Sequence, residues 1–139
     1  NSSGQLASTT DGIRTNGTIA YCLEKSEEAR TGGKLEVSLK VKGNGKLIAG
    51  YYAYNDKYNP KNKNNPPLPE ILKDSTIDSE SFKEIKFLLD VKNIDQNSQK
   101  LYVTKIIPFF RLLPAEGKTM ELNSVHYKIT QEQLAMPEF

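Results

Sequence analysis

Alternation of apolar and polar side chains is the feature that most limits the folds open to this chain. Residues 34–43, KLEVSLKVKG, place an apolar residue at every second position, and residues 47–54, LIAGYYAY, follow with the same spacing. A period of two puts one set of side chains on the core face of a strand and the other set in water. The predicted core positions are Leu35, Val37, Leu39, Val41, Leu47, Ala49, Tyr51 and Ala53.

The Gly-Asn-Gly sequence at residues 43–45 separates these two stretches. Glycine accepts the positive φ angles that tight two-residue turns need. The sequence therefore predicts a hairpin here, with one short strand on each side of it and the two strands antiparallel.

Four further stretches have the composition of strands: residues 18–25, 82–93, 99–113 and 119–129. The alternate positions that carry apolar side chains shift by one residue near Lys105, and again between Leu122 and Val125. Each shift predicts a bulge or bend in the strand. Pro108 lacks a backbone donor, so the second half of its strand is predicted to lie on a sheet edge or to leave one sheet for the other.

One short helix is predicted, in LPEILKDS (residues 68–75), where Leu68, Ile71 and Leu72 fall on one face. About seven short strands joined by Gly, Asn and Pro turns predict an all-β fold. The expected architecture is an antiparallel β-sandwich, immunoglobulin-like or transthyretin-like, with at most one short helix. This likeness is architectural and carries no function.

The chain has 139 residues, which is the size of one domain. Residues 1–17 are small and polar and are predicted to form a flexible N-terminal tether. Residues 18–130 are predicted to form the β-sandwich domain, and residues 131–139 a C-terminal tail.

Composition argues against several classes of function. The formal net charge of +2 comes from 19 basic and 17 acidic residues, a balance that does not predict a nucleic-acid partner. Cys22 is the single cysteine, so the chain cannot form an intramolecular disulfide. No apolar run is long enough for a membrane helix, and membrane contact is predicted only through an N-terminal lipid that is not present in this chain.

No catalytic, metal or cofactor site is predicted. His126 and Cys22 each lie in a predicted strand without a neighbouring base or nucleophile in the sequence. The acidic residues Asp74, Asp78, Glu80 and Glu84 do not have the spacing of an EF-hand and are interpreted as a solvated turn. An enzyme that uses Cys22 or His126 stays as a third hypothesis, and it would need catalytic groups from outside this segment.

Residues 55–69, NDKYNPKNKNNPPLP, are the candidate binding segment. They directly follow a tyrosine-rich strand, and tyrosine rings bordered by amides and lysines suit a protein or sugar surface. The alternative is a stiff connection between strands, whose polar residues simply face water. The predicted binding residues are Tyr52, Tyr54, Tyr58, Asn59, Asn62, Asn64, Pro66 and Pro67.

The favoured hypothesis is a noncatalytic protein-interaction or structural module of a bacterial cell-envelope or secreted assembly, located in the periplasm or outside the cell. One form of it is a periplasmic lipoprotein domain of a secretion machine, with another component of that complex as partner. The alternative is a carbohydrate-binding module in which Tyr52, Tyr54 and Tyr58 stack on a glycan. The absence of tryptophan counts against that alternative.

Overall fold

A computed structural model of the chain describes residues 2–23, 26–54, 70–96 and 99–131. Within these ranges the backbone forms nine strands and no helix, and every strand pair is antiparallel. The prediction of an all-β antiparallel fold is confirmed. The strands are β1 (Ser2–Thr15), β2 (Ile19–Cys22), β3 (Glu27–Glu28), β4 (Lys34–Tyr54), β5 (Glu70–Asp90), β6 (Ile94–Gln96), β7 (Gln99–Leu101), β8 (Lys105–Pro114) and β9 (Met120–Thr130).

Strand β4 is the centre of a seven-stranded sheet. Along one side it pairs with β5, from Lys34 opposite Asp90 to Tyr52 opposite Glu70. Its other side is divided, because the first half pairs with β9 and the second half with β8. β1 lies outside β9, β2 and β3 lie outside β8, and β6 and β7 form a separate two-stranded sheet. The seven strands thus form one curled sheet, whereas the sequence predicts a sandwich of two sheets.

The Gly-Asn-Gly sequence lies inside β4, so the predicted hairpin at residues 43–45 is wrong. Gly43 has a φ of 117°, and a Cβ there would lie 2.3 Å from the carbonyl oxygen of Thr119. Asn44 donates its N–H to that same oxygen at 3.2 Å and accepts the N–H of Ala115 at 3.0 Å. The glycines therefore let the β8–β9 turn approach β4 at the point where the strand paired with β4 changes from β9 to β8.

Two long-range hydrogen bonds show that the β4–β5 ribbon folds back on itself. The Tyr51 hydroxyl donates to the carbonyl of Asp90 at 2.8 Å, and the Lys73 ammonium donates to the carbonyl of Leu88 at 2.6 Å. Each bond joins one half of the ribbon to the other half. The predicted core positions of β4 lie between the halves, and all are fully buried. They pack against buried residues that include Phe87, Leu89, Ile106, Phe110, Leu112, Leu122, Val125 and Ile129.

Residues 70–75 begin β5, so the predicted helix is wrong over the described part of residues 68–75, and Leu68 lies outside the described residues. Ile71 packs against the core while Leu72 is exposed, as a period of two requires. The acidic residues 74–84 also lie in β5 rather than in a turn. Between the pairs Gly43–Ser79 and Val41–Lys83, three residues of β5 stand opposite Lys42 alone, which makes a bulge.

Strand β8 is an interior strand, so the predicted edge position of Pro108 is wrong. Pro108 lies opposite Tyr51 of β4, and its carbonyl accepts the N–H of Leu23 at 2.9 Å. Because the N and O of one strand residue point to the same side, the nitrogen that lacks a proton faces away from β4. The Pro108 nitrogen therefore faces the gap between the end of β2 at Cys22 and the start of β3 at Glu27, where none of the described strand residues needs a donor from it.

The phase change predicted in the last strand is confirmed. Lys40 pairs with Ser124 and Val41 pairs with Leu122, which leaves Asn123 as the extra residue on β9. Core positions on both sides of this bulge are buried. The bulge lets one strand present two differently phased apolar rows to the same core.

Residues 2–15 form β1 along β9, whereas the sequence predicts that residues 1–17 are a flexible tether. Backbone pairing does not require apolar side chains, because the outer edge of β9 offers unpaired N–H and C=O groups to any extended segment. Small residues also fit this position: a Cβ on Gly4 would lie 3.0 Å from the ring of Tyr127. Of the predicted C-terminal tail, Gln131 is described, and residues 132–139 lie outside the described residues.

Candidate interaction site at the base of residues 55–69

Four residues from three adjacent strands form a compact cluster on the outer face of the sheet, which we call the platform: Tyr52 of β4, Glu70 of β5, and Phe109 and Arg111 of β8. Alternation in β4 sends Tyr52 outward while its neighbour Tyr51 is fully buried in the core. In β8 the same rule separates Phe109 and Arg111 from the inward-facing Phe110.

Gly50 lies beside the aromatic part of the platform, and a Cβ there would clash with the carbonyl oxygen of Ile71 on β5. It lies opposite Phe109 in the ladder and has no side chain to occupy the outer face. Tyr52, two residues further along β4, therefore reaches the Phe109 ring diagonally, with ring centroids 4.7 Å apart and a tilt of 39°. Phe109 is only 1% exposed, although it lies on the outer face of the sheet.

Arg111 also contacts that ring and links the three strands. Its guanidinium carbon lies 4.5 Å from the centroid of Phe109, within the range of a cation–π contact. Its Nη2 donates to the Tyr52 hydroxyl at 3.0 Å and to Glu70 Oε1 at 2.5 Å. The Arg111 side chain is 24% exposed and that of Glu70 is 39% exposed. The platform is thus a fixed aromatic and charged surface.

The charges of the platform stabilise each other. The hydrogen bond from Arg111 lowers the pKa of the Glu70 carboxyl below its ordinary value, and the same bond raises the pKa of Arg111. Both groups are therefore ionised over the physiological range. Because the pair is partly exposed to water, its contribution to stability is at most about 1 kcal/mol.

The platform lies where residues 55–69 join the sheet. Tyr54 is the last described residue before that segment, and Glu70 is the first residue after it. Of the predicted binding residues, Tyr52 belongs to the platform and Tyr54 lies half-buried on the same face of β4. The other predicted binding residues lie outside the described residues: Tyr58, Asn59, Asn62, Asn64, Pro66 and Pro67.

Sequence reasoning missed Phe109, Arg111 and Glu70. The sequence does contain a signal for Phe109 and Arg111, because from Ile106 onward they alternate with the core positions Phe110 and Leu112. The prediction that Pro108 marks a sheet edge obscures this alternation. Glu70 falls within the predicted helix at residues 68–75, so the sequence does not place it in a strand beside Tyr52.

The structure does not bring Cys22 and His126 together. Cys22 is exposed on β2 and pairs with Phe109, and His126 is exposed on β9 and pairs with Ser38. Strands β4 and β8 lie between them. Within the described residues no three or more His, Cys, Asp or Glu side chains are grouped so that they could hold a metal ion. The described part of the chain also contains no helix with the length and apolar character needed to cross a membrane.

No protein-family model and no curated protein sequence matches this chain.

Proposed function

We propose that this chain is a noncatalytic protein-interaction module that binds its partner through residues 55–69 and the platform formed next to the ends of that segment. One observation carries the proposal: Tyr54 and Glu70, the residues on either side of this segment, lie at the platform, where Glu70 pairs with Tyr52 in the ladder. Binding segments are commonly presented in this way by a rigid scaffold. Tyrosine and arginine are also the side chains most enriched at the energetic centres of protein interfaces.

The noncatalytic part of the proposal is supported by the separation of Cys22 from His126. Nucleophilic catalysis needs a base within hydrogen-bond reach of the nucleophile. These two residues lie on strands with two others between them, and each faces solvent.

The proposed fold is a sandwich of the immunoglobulin-like or transthyretin-like kind, in which β4 and β5 contribute to both layers. The bonds from Tyr51 to Asp90 and from Lys73 to Leu88 support it, because they join the two halves of the ribbon across the core. The proposed setting is a bacterial cell envelope or secreted assembly, with a component of that assembly as partner. This setting rests on the sequence alone, and fractionation of the host cell would test it.

A carbohydrate-binding module is the weaker candidate. Stacking on a sugar needs an open aromatic face, whereas Tyr52 lies against Phe109 and its hydroxyl accepts a hydrogen bond from Arg111. Loss of glycan-array binding on Tyr54→Ala would favour this alternative over a protein partner.

The proposal is tested by cross-linking followed by direct binding. A photo-reactive amino acid at position 58 traps the partner in the host, and the identified partner is then purified and titrated against this chain. Replacing residues 56–67 by a short Gly/Ser sequence should weaken binding at least about tenfold, since the central contacts of an interface carry most of its free energy. Circular dichroism checks that the fold is retained.

The matched control is Tyr102→Ala, which removes an exposed tyrosine outside the platform. It should leave the affinity unchanged. Full affinity in the chain with the replaced segment would refute the proposed site.

A further inference from the structure

The outer edge of β5 is the largest unpaired feature of the described sheet. β5 runs for 21 residues and pairs with β4, and no other described strand pairs with it. Among the residues whose burial is described, five large apolar side chains are exposed, and three of them belong to this strand: Leu72, Phe82 and Leu88. An unpaired edge offers backbone donors and acceptors to an added strand.

The backbone direction at this edge follows from two hydrogen bonds. Val91 donates its N–H to the carbonyl of Gly33 and accepts the N–H of Gly32, both at 2.9 Å, so its polar groups point to the β4 side. Neighbouring strand residues point their polar groups to opposite sides, and the register between residues 83 and 90 is regular. Glu84 and Lys86 therefore direct their N–H and C=O groups away from β4, toward the free edge. Leu88 points the same way, but its carbonyl accepts the Lys73 ammonium at 2.6 Å within the same chain.

The side chains of these residues form an exposed row on the outer face. Leu88 is 50% exposed and Phe82 is 38% exposed, with the Phe82 ring 4.9 Å from the ammonium of Lys42 on that face. Glu84 and Lys86 lie between them, 3.4 Å apart. The row thus reads apolar, negative, positive, apolar.

We propose that β5 pairs antiparallel with β5 of a second copy of this chain, with the two-fold axis at Ile85. This register places Glu84 opposite Lys86 of the other copy, and Lys86 opposite its Glu84. It also places Phe82 opposite Leu88 in both directions, so every side chain of the row meets a complementary one. A two-fold interface requires this self-complementarity, because each contact occurs twice.

The charges specify the partner as well as the register. A row of a single sign would repel a second copy, and a purely apolar row would accept any exposed strand. Within one chain Lys86 lies 3.4 Å from Glu84 and 4.0 Å from Glu36, and a reversed copy would give Glu84 and Lys86 each one further ion pair. The paired residues Lys86 and Glu84 both direct their polar groups outward, which is the condition for a hydrogen-bonded pair.

Sedimentation of the whole chain tests the proposal, at concentrations up to about 1 mM because an interface of this length belongs to the weak class. We expect a monomer–dimer equilibrium. Glu84→Lys alone and Lys86→Glu alone should each raise the dissociation constant roughly tenfold, since two like-charged pairs replace two opposite ones. The double charge swap should restore it to within about threefold of the original, because both pairs are again complementary.

Asp78→Lys is the matched control. It makes the same charge change as Glu84→Lys at an exposed residue of β5 outside the row, and it should leave the dissociation constant unchanged. A chain that stays monomeric at every concentration overturns the proposal. A double swap as weak as the single variants overturns it too.

Disulfide trapping tests the register directly in a Cys22→Ser background, which removes the exposed free thiol. Residues in a hydrogen-bonded antiparallel pair have Cα atoms about 5.5 Å apart, within reach of a disulfide. A mixture of Glu84→Cys and Lys86→Cys chains should cross-link faster than a mixture of Glu84→Cys and Leu88→Cys chains. Equal rates would indicate random collision and refute the proposed pairing.

Discussion

The hydroxyl of Tyr51 lies 2.8 Å from the carbonyl oxygen of Asp90, a residue at the far end of the neighbouring strand's ladder. The same hydroxyl accepts the N–H of Lys92 at 3.2 Å. One side chain therefore satisfies two backbone groups across the fold-back of the β4–β5 ribbon. Its position explains why this tyrosine is buried while Tyr52 and Tyr54 lie on the other face.

Tyr51→Phe should lower the free energy of unfolding by about 1 kcal/mol, because it leaves a partly buried N–H of Lys92 and a partly buried C=O of Asp90 without their partner. Urea denaturation at neutral pH measures the change. Tyr102→Phe provides the comparison, since it removes an exposed hydroxyl that donates to Thr31 at 3.3 Å. Equal losses in the two variants would show that the contact to Asp90 has no special role.

Alkaline pH should destabilise the fold through buried tyrosines. Burial raises the pKa of Tyr51 above its ordinary value, and burial with the nearby carboxylate of Glu27 raises the pKa of Tyr127. The folded state then holds protons that the unfolded state releases, so stability is full below about pH 10 and falls as the pH rises further. Thermal midpoints measured between pH 8 and 11 should fall less steeply in Tyr51→Phe, and a parallel decline in both proteins would contradict this assignment.

Alanine substitutions at three glycines should separate the cost of backbone strain from the cost of steric clash. Of the three, only Gly43 lies at the bend of β4. Gly17→Ala meets no atom within 4 Å and should be nearly neutral. Gly117→Ala also has open space, but its φ of 73° should lower stability by about 1 kcal/mol. Gly43→Ala combines a φ of 117° with a Cβ placed 2.3 Å from Thr119 O and should be the most damaging.

Chemical denaturation of the three alanine variants gives the order. A loss for Gly43→Ala no larger than that for Gly117→Ala would mean that the β8–β9 turn can move away from β4 without penalty.

Removal of the platform carboxylate should have a small, pH-dependent effect. Glu70→Gln should lower stability by less than about 1 kcal/mol at neutral pH, because the pair with Arg111 is partly exposed. Since Arg111 lowers the pKa of Glu70 in the folded state, the contribution is present above the unfolded pKa and disappears as the pH falls through the folded value. The gap between the two proteins should therefore close in acid.

Thermal scans at several pH values measure that gap. Glu28→Gln is the control, because Glu28 is 75% exposed and lies 3.5 Å from Arg30, so its loss should change little at any pH. A gap for Glu70→Gln that persists in strong acid would mean that the amide disturbs packing rather than charge.

Local sequence predicted the core of this fold well where one strand face determines burial. Every predicted core residue of β4 is fully buried, because alternation requires only that one face be covered, whichever strand covers it. Prediction from local sequence failed at residues 43–45, because glycines with positive φ are compatible with a hairpin turn and with a bend inside one strand. Contacts from Thr119 and Ala115, far along the chain, decide between the two.

The helix at residues 68–75 failed for a related reason. Ile71 and Leu72 fit a helical spacing over a few residues, but pairing with Tyr51 and Gly50 of β4 overrides so short a local preference. The candidate site was predicted only in part, because it depends on pairing between strands that are distant in the sequence. Tyr52 was found from its own strand, whereas Arg111 reaches it from a strand whose neighbour the sequence does not reveal.

The divided partnership of β4 has a consequence for how the chain acquires its structure. The second half of this central strand bonds to residues 105–114, and its first half bonds to residues 120–130, which come later in the chain. Neither half can complete its ladder on a ribosome until nearly the whole segment has emerged. We therefore expect high contact order and slow folding, with the β4–β5 ribbon exposed as a long-lived intermediate during synthesis.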